Sequence, residues 1–334
     1  TLRRALVAGR FGPAAILVLL LCGVVLLWRH GAHAPTLGFG PYLLKPPARA
    51  SFGAKSPAME FVRARHQAEP GRILGLHDTV TPAWNAVVGL ESIYGADALQ
   101  TPWLRELIDV APLKWISVWR IHLSSDLASK ARPFLDALNV RYYFDMPGNP
   151  PVRDDSLPLV QTADLAIYES RTAWPRAFFT DRIEAYDRPA DLVARILAGD
   201  GRPFAALPRN EKPIASLDSV AGAKSGPGSV VPATEYRLTE NTTRFKVRAP
   251  GPGIVVLGEA WWPDSFRVDV DGRAVPLVRV NHAFKGVFVH AAGDYEVTFS
   301  YWPKNFTRHL ILAATGGGLL VLSLYFGLRP SRRA

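Results

Sequence analysis

The 334-residue chain is 48% hydrophobic and 20% charged, with a formal net charge of +10 and a single cysteine. That balance excludes a compositionally disordered chain and gives length enough for two ordinary domains. Cys22 lies in an apolar run, which excludes disulfide stapling and thiolate chemistry in the rest of the chain.

Residues 11–28, FGPAAILVLLLCGVVLLW, carry no charge, are bracketed by Arg10 and Arg29, and place Trp28 where amphipathic aromatics sit in a bilayer. The run predicts a transmembrane helix. A secretory signal also begins basic and apolar, but this run is longer than a signal core, and no small-x-small site follows directly in WRHGAHAP. Because the chain opens on Thr1 rather than Met, a longer parent protein is expected. Residues 31–58 are rich in Pro, Gly and Ala and read as an extended lead-in.

From about residue 59 to 207 the pattern is mixed. MEFVRARH and TPWLRELIDV have helical spacing, the second opened by Thr101 and Pro102 in cap and first-turn positions. RILGL, VRYYF and LAIYES are short and rich in β-branched or aromatic residues, as strands are, and SSDLASKARPFLDALNVRYYF reads as helix, turn and strand. Residues 31–207 are therefore expected to form a mixed α/β domain. Residues 208–232 lose periodicity and fill with Pro, Gly, Ser and Ala, the composition of a linker.

From 233 to 306 the period changes to two. EYRLTENTTRFKVRA, GIVVLGEA, FRVDVDG, AVPLVRV, GVFVHA and DYEVTFSYW predict six short strands and a β-sandwich. A second uncharged run, LILAATGGGLLVLSLYFGL at 310–328, lies between Arg308 and Arg329 and predicts a second membrane helix, with a basic tail completing residues 307–334. Gly316, Gly317 and Gly318, one turn after Ala313 and Ala314, would let another helix approach closely.

The expected fold is thus α+β and membrane-anchored. Two transmembrane helices, the first within residues 1–30, flank an outer α/β domain and a C-terminal β-sandwich. Arg3, Arg4 and Arg10 precede the first run, and Arg329, Arg332 and Arg333 follow the second, so both termini should be cytoplasmic and residues 31–306 extracytoplasmic. These six arginines account for more than half of the net charge, and no Lys/Arg run lies between the spans. The expected partner is the lipid bilayer, not nucleic acid.

The stretch AWWPDSFRVDVDG at 260–272 carries the densest set of chemically suggestive residues. As an EF-hand loop ending in Asp271-Gly272 it would need ligands at Arg267 and Val278, which cannot supply them. Asp269-Val270-Asp271 also fits a three-residue metal-holding pattern of nucleotide-sugar transferases, a weak pattern beside the simpler reading of a hairpin turning at Asp271-Gly272. Trp261 and Trp262, with Asp264 beside them, can serve as a sugar-stacking platform or as packing; on a strand at most one would enter the core. His77-Asp78, followed by Glu91 and Asp97, is the densest polar group of the α/β region and can supply acid/base chemistry or simply line a loop. G-x-S-x-G, H-E-x-x-H, Walker and complete dinucleotide fingerprints do not occur, and no metal or cofactor is expected within the chain.

The strand region also resembles the C-terminal extracytoplasmic segment of the YfhO family of bacterial integral membrane proteins. The matching positions are Trp261, Trp262, Pro263, Asp271, Gly272, Val280, Asn281, Ala283, Phe284, Gly286, Val287, Gly293, Val297, Tyr301 and Pro303. GRILGLHDTVTPAWNAVVGLESIYGADAL, LNVRYYF and IYESRTAWPRAFF extend the resemblance over roughly residues 57–328. Asp264-Ser265-Phe266 replaces the family's Gly-Trp, and Ala96 replaces the tyrosine of its Gly-Tyr-Asp.

The resemblance implies the C-terminal portion of a GT-C-type glycosyltransferase in the bacterial inner membrane. Such an enzyme uses polyprenyl-phosphate-linked sugars to modify cell-envelope polymers, packs against upstream transmembrane helices, and carries its catalytic acid outside this chain. The outer domains would then contact glycan or lipid-linked sugar. Two other readings stand beside it, a non-catalytic membrane-anchored envelope binding or scaffolding protein and a self-contained outer enzyme using the His77 region.

Overall fold

A computed structural model describes residues 18, 20–26, 56–66, 69–80, 85, 88–93, 101–117, 120–211 and 228–328, and the structural statements below concern these. It shows a mixed α+β protein with several sheets and an apolar C-terminal helix. The chain divides into two compact units, residues 55–304 and residues 1–54 with 305–334.

Within the larger unit, the expected helices are α1 (Pro57–His66), α2 (Pro102–Val110) and α3 (Ser125–Ala137). Thr101 caps α2 by accepting from Leu104 N at 3.4 Å, and Ser124 caps α3 by accepting from Leu127 N at 3.3 Å. A further helix, α4 (Pro189–Ala198), lies in a stretch left unassigned by the sequence pattern.

A four-stranded sheet has the order β1 (Arg72–Gly75), β4 (Val140–Asp145), β6 (Ala166–Glu169), β5 (Leu159–Thr162), with β1 and β4 parallel. β2 (Lys114–Ser117) and β3 (Arg120–His122) form a separate pair. On the four-stranded sheet, alternation sends Ile73, Tyr142 and Ile167 into one cluster with Ala58, Met59 and Val62 of α1, while Leu74, Tyr143 and Tyr168 join Phe134 and Leu135 of α3 in another. Both faces are covered, so the consecutive Tyr142, Tyr143 and Phe144 are all buried rather than alternating.

The strand-rich half takes in a strand from before residue 208. β7 (Ala177–Thr180), from the region assigned to the α/β domain, lies inside a five-stranded sheet of order β10 (Val230–Pro232), β7, β13 (Gly253–Leu257), β17 (Phe284–Val289), β16 (Val278–Val280). β10 falls within the expected 208–232 linker, whose residues 212–227 lie outside the described residues. The pair β8 (Ile183–Tyr186) and β9 (Ala205–Pro208) flanks α4 in sequence. β7 is hydrogen-bonded to both β10 and β13.

A second five-stranded sheet has the order β11 (Thr234–Leu238), β12 (Thr242–Ala249), β18 (Gly293–Tyr301), β14 (Phe266–Val270), β15 (Arg273–Val275). Phe245, Val247, Val268 and Phe299 from it share one apolar cluster with Phe179, Val255, Leu257 and Val287 of the first. The opposite face of the first sheet, through Ile254, Val256 and Phe284, packs with Leu107 of α2 and Leu192 and Ile196 of α4. This sheet is therefore a middle layer, which is why GIVVL and FKGVFV are buried at every position while β12 alternates buried with exposed.

In the smaller unit, helix α5 (Phe306–Leu328) is exposed from Phe306 to Tyr325 and is long and apolar enough to cross a membrane. Of the first apolar run, residues 18 and 20–26 are helical, and the rest lies outside the described residues.

Candidate functional site

The predicted residues take up separate positions. After β1 the chain doubles back so tightly that a Cβ on Gly75 would sit 2.5 Å from Val80 N, and His77 (φ 45°) and Asp78 (φ 63°) occupy the left-handed region. His77 Nδ1 lies 2.9 Å from Oδ2 of Asp145, a carboxylate 1% exposed at the end of β4. The backbone N–H of Ser125 donates to His77 Nε2 at 3.4 Å, which leaves the ring proton on Nδ1 for Asp145.

Oδ1 of Asp145 accepts from Thr79 Oγ1 at 3.2 Å, Met146 N at 2.8 Å and Asn149 Nδ2 at 2.5 Å. The order Asp145, His77, Ser125 mimics a nucleophile relay, but Ser125 Oγ donates to the Pro150 carbonyl at 2.8 Å. The group pins α3 to the end of β4. Asp78 lies 3.6 Å from His122, Glu91 pairs elsewhere with Arg176, and Asp97 lies outside the described residues.

Trp261 and Trp262 lie outside the strands, so strand alternation does not govern them. Trp261 is half-buried, its backbone N–H donating to the Ala283 carbonyl at 2.7 Å, and Trp262 is 43% exposed. Neither joins the inter-sheet cluster. Asp264 (φ 58°) is exposed and pairs with Lys304 at 2.6 Å. Asp271 (φ 50°) and Gly272 (φ 75°) form the two-residue hairpin turn between β14 and β15, with Val270 opposite Arg273. Asp271 Oδ1 accepts from Glu296 N at 2.9 Å, tying this turn to β18.

Just before the tryptophans, Glu259 anchors a buried charge network that the sequence reading missed. Lys285 of β17 is fully buried in phase with Val287 and Val289, its Nζ 3.0 Å from Glu259 Oε2 and 3.3 Å from the Phe266 ring centroid. Glu259 Oε1 also accepts from Thr243 Oγ1 at 2.8 Å and Tyr236 OH at 2.9 Å. Arg176, 5% exposed, donates to Glu91 through Nη2 and to Tyr236 OH through Nε at 3.4 Å.

Burial alone would raise the Glu259 carboxyl, but Lys285, Arg176 and the donated hydrogen bonds hold it at about 2. Burial, with Arg176 and Arg72 nearby, lowers Lys285 to about 8 despite Glu259. Burial pushes Tyr236 up to about 12. The visible signal was a lysine at a core position of a period-two strand.

Asn281 and His282, in the stretch VNHAFKG, have consecutive positive φ values of 48° and 67°. Asn281 is a clamp. Its Oδ1 accepts from Ala206 N at 2.6 Å, its Nδ2 donates to the Phe204 carbonyl at 3.1 Å, and its own N–H donates to the Ala206 carbonyl at 2.8 Å, joining the β16–β17 turn to β9. His282 lies 2.7 Å from Glu106 through Nε2 and 3.0 Å from Tyr186 OH through Nδ1. Burial, and then Arg279, lowers His282 against the pull of Glu106, and burial raises Tyr186 to about 12.

A cavity of about 270 Å³ opens where β4, the segment before β7 and β10–β11 meet. Arg141, Arg176, Tyr236 and three prolines, Pro70, Pro175 and Pro232, line it. Among the described residues, no group of three or more His, Cys, Asp or Glu side chains could hold a metal ion. Comparison with protein-family models, curated proteins and solved structures finds no match to this chain.

Proposed function

We propose that the chain is the C-terminal portion of a multi-pass bacterial membrane glycosyltransferase that uses polyprenyl-phosphate-linked sugars to modify envelope polymers, with residues 55–304 helping to hold acceptor or donor. In this reading the two facing five-stranded sheets are a β-sandwich, the first apolar run is a second membrane helix, and both termini are cytoplasmic. The observation that carries the membrane half is α5, an apolar helix exposed from Phe306 to Tyr325 and continuous in sequence with the folded unit. At Gly316, Gly317 and Gly318 a Cβ would meet nothing within 4 Å, leaving the backbone open to a neighbouring helix of the parent.

The transferase half is supported by the YfhO-like motif, whose residues fall at demanding positions. Asp271 and Gly272 make the left-handed turn, Asn281 bridges two strand systems, and a Cβ on Gly286 would lie 2.8 Å from Val280. The bonding at His77, both of whose ring nitrogens are engaged, favours a supporting role for this chain over a self-contained reaction there.

The same saturation favours, as second reading, an envelope scaffolding protein without chemistry. Deletion of the gene separates the two. The transferase reading expects loss of one sugar from an envelope polymer together with accumulation of its polyprenyl-phosphate-linked form, both reversed by complementation. An unchanged lipid-linked pool with altered envelope integrity supports the scaffold instead.

A further inference from the structure

Each of two arginines that line the cavity has one buried nitrogen without a partner. Arg176 Nη1 and Arg141 Nε are buried and have no hydrogen-bond acceptor, although Arg176 donates through its other nitrogens and Arg141 Nη1 pairs with Glu69. Buried donors are rarely left unmade, because each forfeits its interaction with water without a replacement. Both residues line the same cavity together with Glu69 and Tyr236, whose hydroxyl is engaged with Glu259 and Arg176, and Pro70, Pro175 and Pro232 supply apolar walls.

We propose that this cavity binds a compact monocarboxylate, of the kind an acidic sugar carries, with Arg141 and Arg176 donating to the carboxylate and the prolines packing against its ring. Guanidinium groups suit planar oxyanions, and apolar walls with a few convergent polar groups are the usual make-up of a small-molecule site.

The charge inventory favours one negative charge over two. Glu169 lies 3.1 Å from Arg65 and 3.7 Å from Arg141, so the cations Arg65, Arg72, Arg141, Arg176 and Lys285 face Glu69, Glu91, Glu169 and Glu259, leaving one positive charge in excess. The guanidinium of Arg72 donates to two carbonyls, Leu138 at 2.7 Å and Gly258 at 2.7 Å, rather than to a carboxylate. A phosphate dianion would overshoot this balance beside Glu69 and Glu91. The site does not depend on the transferase reading and stands equally for a scaffolding protein.

The test is calorimetry and thermal-shift measurement on the full chain in detergent micelles, titrated with glucuronate, glucose and inorganic phosphate. Glucuronate is expected to bind saturably with a Kd of ~1 mM or tighter, and glucose and phosphate about tenfold or more weakly. Arg176→Lys keeps a charge for Glu91 but removes the unpaired N–H, and Ala233→Leu fills the cavity without touching an ion pair. Each is expected to weaken glucuronate binding by about tenfold.

No saturable glucuronate binding, equal binding of glucose, or tighter binding of phosphate would overturn the assignment. Undiminished binding by Ala233→Leu would do so even if Arg176→Lys failed to fold.

Discussion

Replacing Glu259 with glutamine removes one charge from the buried network while keeping the side chain's size. In the folded protein the Glu259 carboxyl is held at about 2, against roughly 4.3 for a free glutamate. Its folded pKa is depressed, so its contribution is fully present above the unfolded value and is lost as pH falls through the folded one. A gap of between two and three units corresponds to about 3 kcal/mol at neutral pH. The side chain is only 14% exposed, so solvent screens little of this.

Glu259→Gln should therefore lose about 3 kcal/mol at pH 7, since it also leaves the fully buried Lys285 ammonium without its counter-ion. Denaturant unfolding of the full chain in detergent, followed by tryptophan fluorescence, measures the loss. The gap between wild type and variant should shrink as pH falls from about 4.5 to about 2. Adding Lys285→Met to the variant should recover much of the loss, because the unpaired charge goes with it. A loss below about 1 kcal/mol, or a gap constant across the acid range, would refute the reasoning.

Three further outcomes are expected. A Cβ on Gly253 would lie 2.5 Å from the Phe179 ring and 2.7 Å from Thr180 O, so Gly253→Ala should cost about 1–3 kcal/mol, whereas Gly251→Ala, into open space, should stay within about 0.5 kcal/mol in the same unfolding assay. Asn281→Gly should lose the two side-chain hydrogen bonds, and Asn281→Ala should lose about 1–2 kcal/mol more, because only alanine resists the φ of 48°; the opposite order of melting temperatures would contradict the clamp. Trp262→Ala should change stability by less than about 0.5 kcal/mol while the half-buried Trp261→Ala costs clearly more, and equal losses would argue against their separate placement.

Secondary structure was legible wherever a local cause sets it. Thr101 and Ser124 announce helix starts, Asp271-Gly272 announces a hairpin, and the alternation of β12 announces a sheet with one open face. The pairing of β7 with the later sheet was not legible, because a change of period records local burial and cannot show that four residues cross over. Charge pairing across long sequence separations was equally invisible. Arg176 and Glu91 meet from different elements, and Lys285 looks like an ordinary surface lysine until its phase with Val287 and Val289 is noticed. Conversely, the compact group His77, Asp78, Glu91 and Asp97 looked chemical because it is close in sequence, yet its buried partner, Asp145, comes from the end of another strand.

Everything proposed for the function requires residues 55–304 to lie on the outer face of the membrane. The direct measurement is labelling of intact cells with a membrane-impermeant thiol reagent, using a Cys22→Ser chain carrying a single new thiol at the exposed Asp155, as Asp155→Cys. Labelling in intact cells equal to that after lysis is the predicted result. Labelling only after lysis would place the unit in the cytoplasm and contradict the assignment to outer-face envelope chemistry.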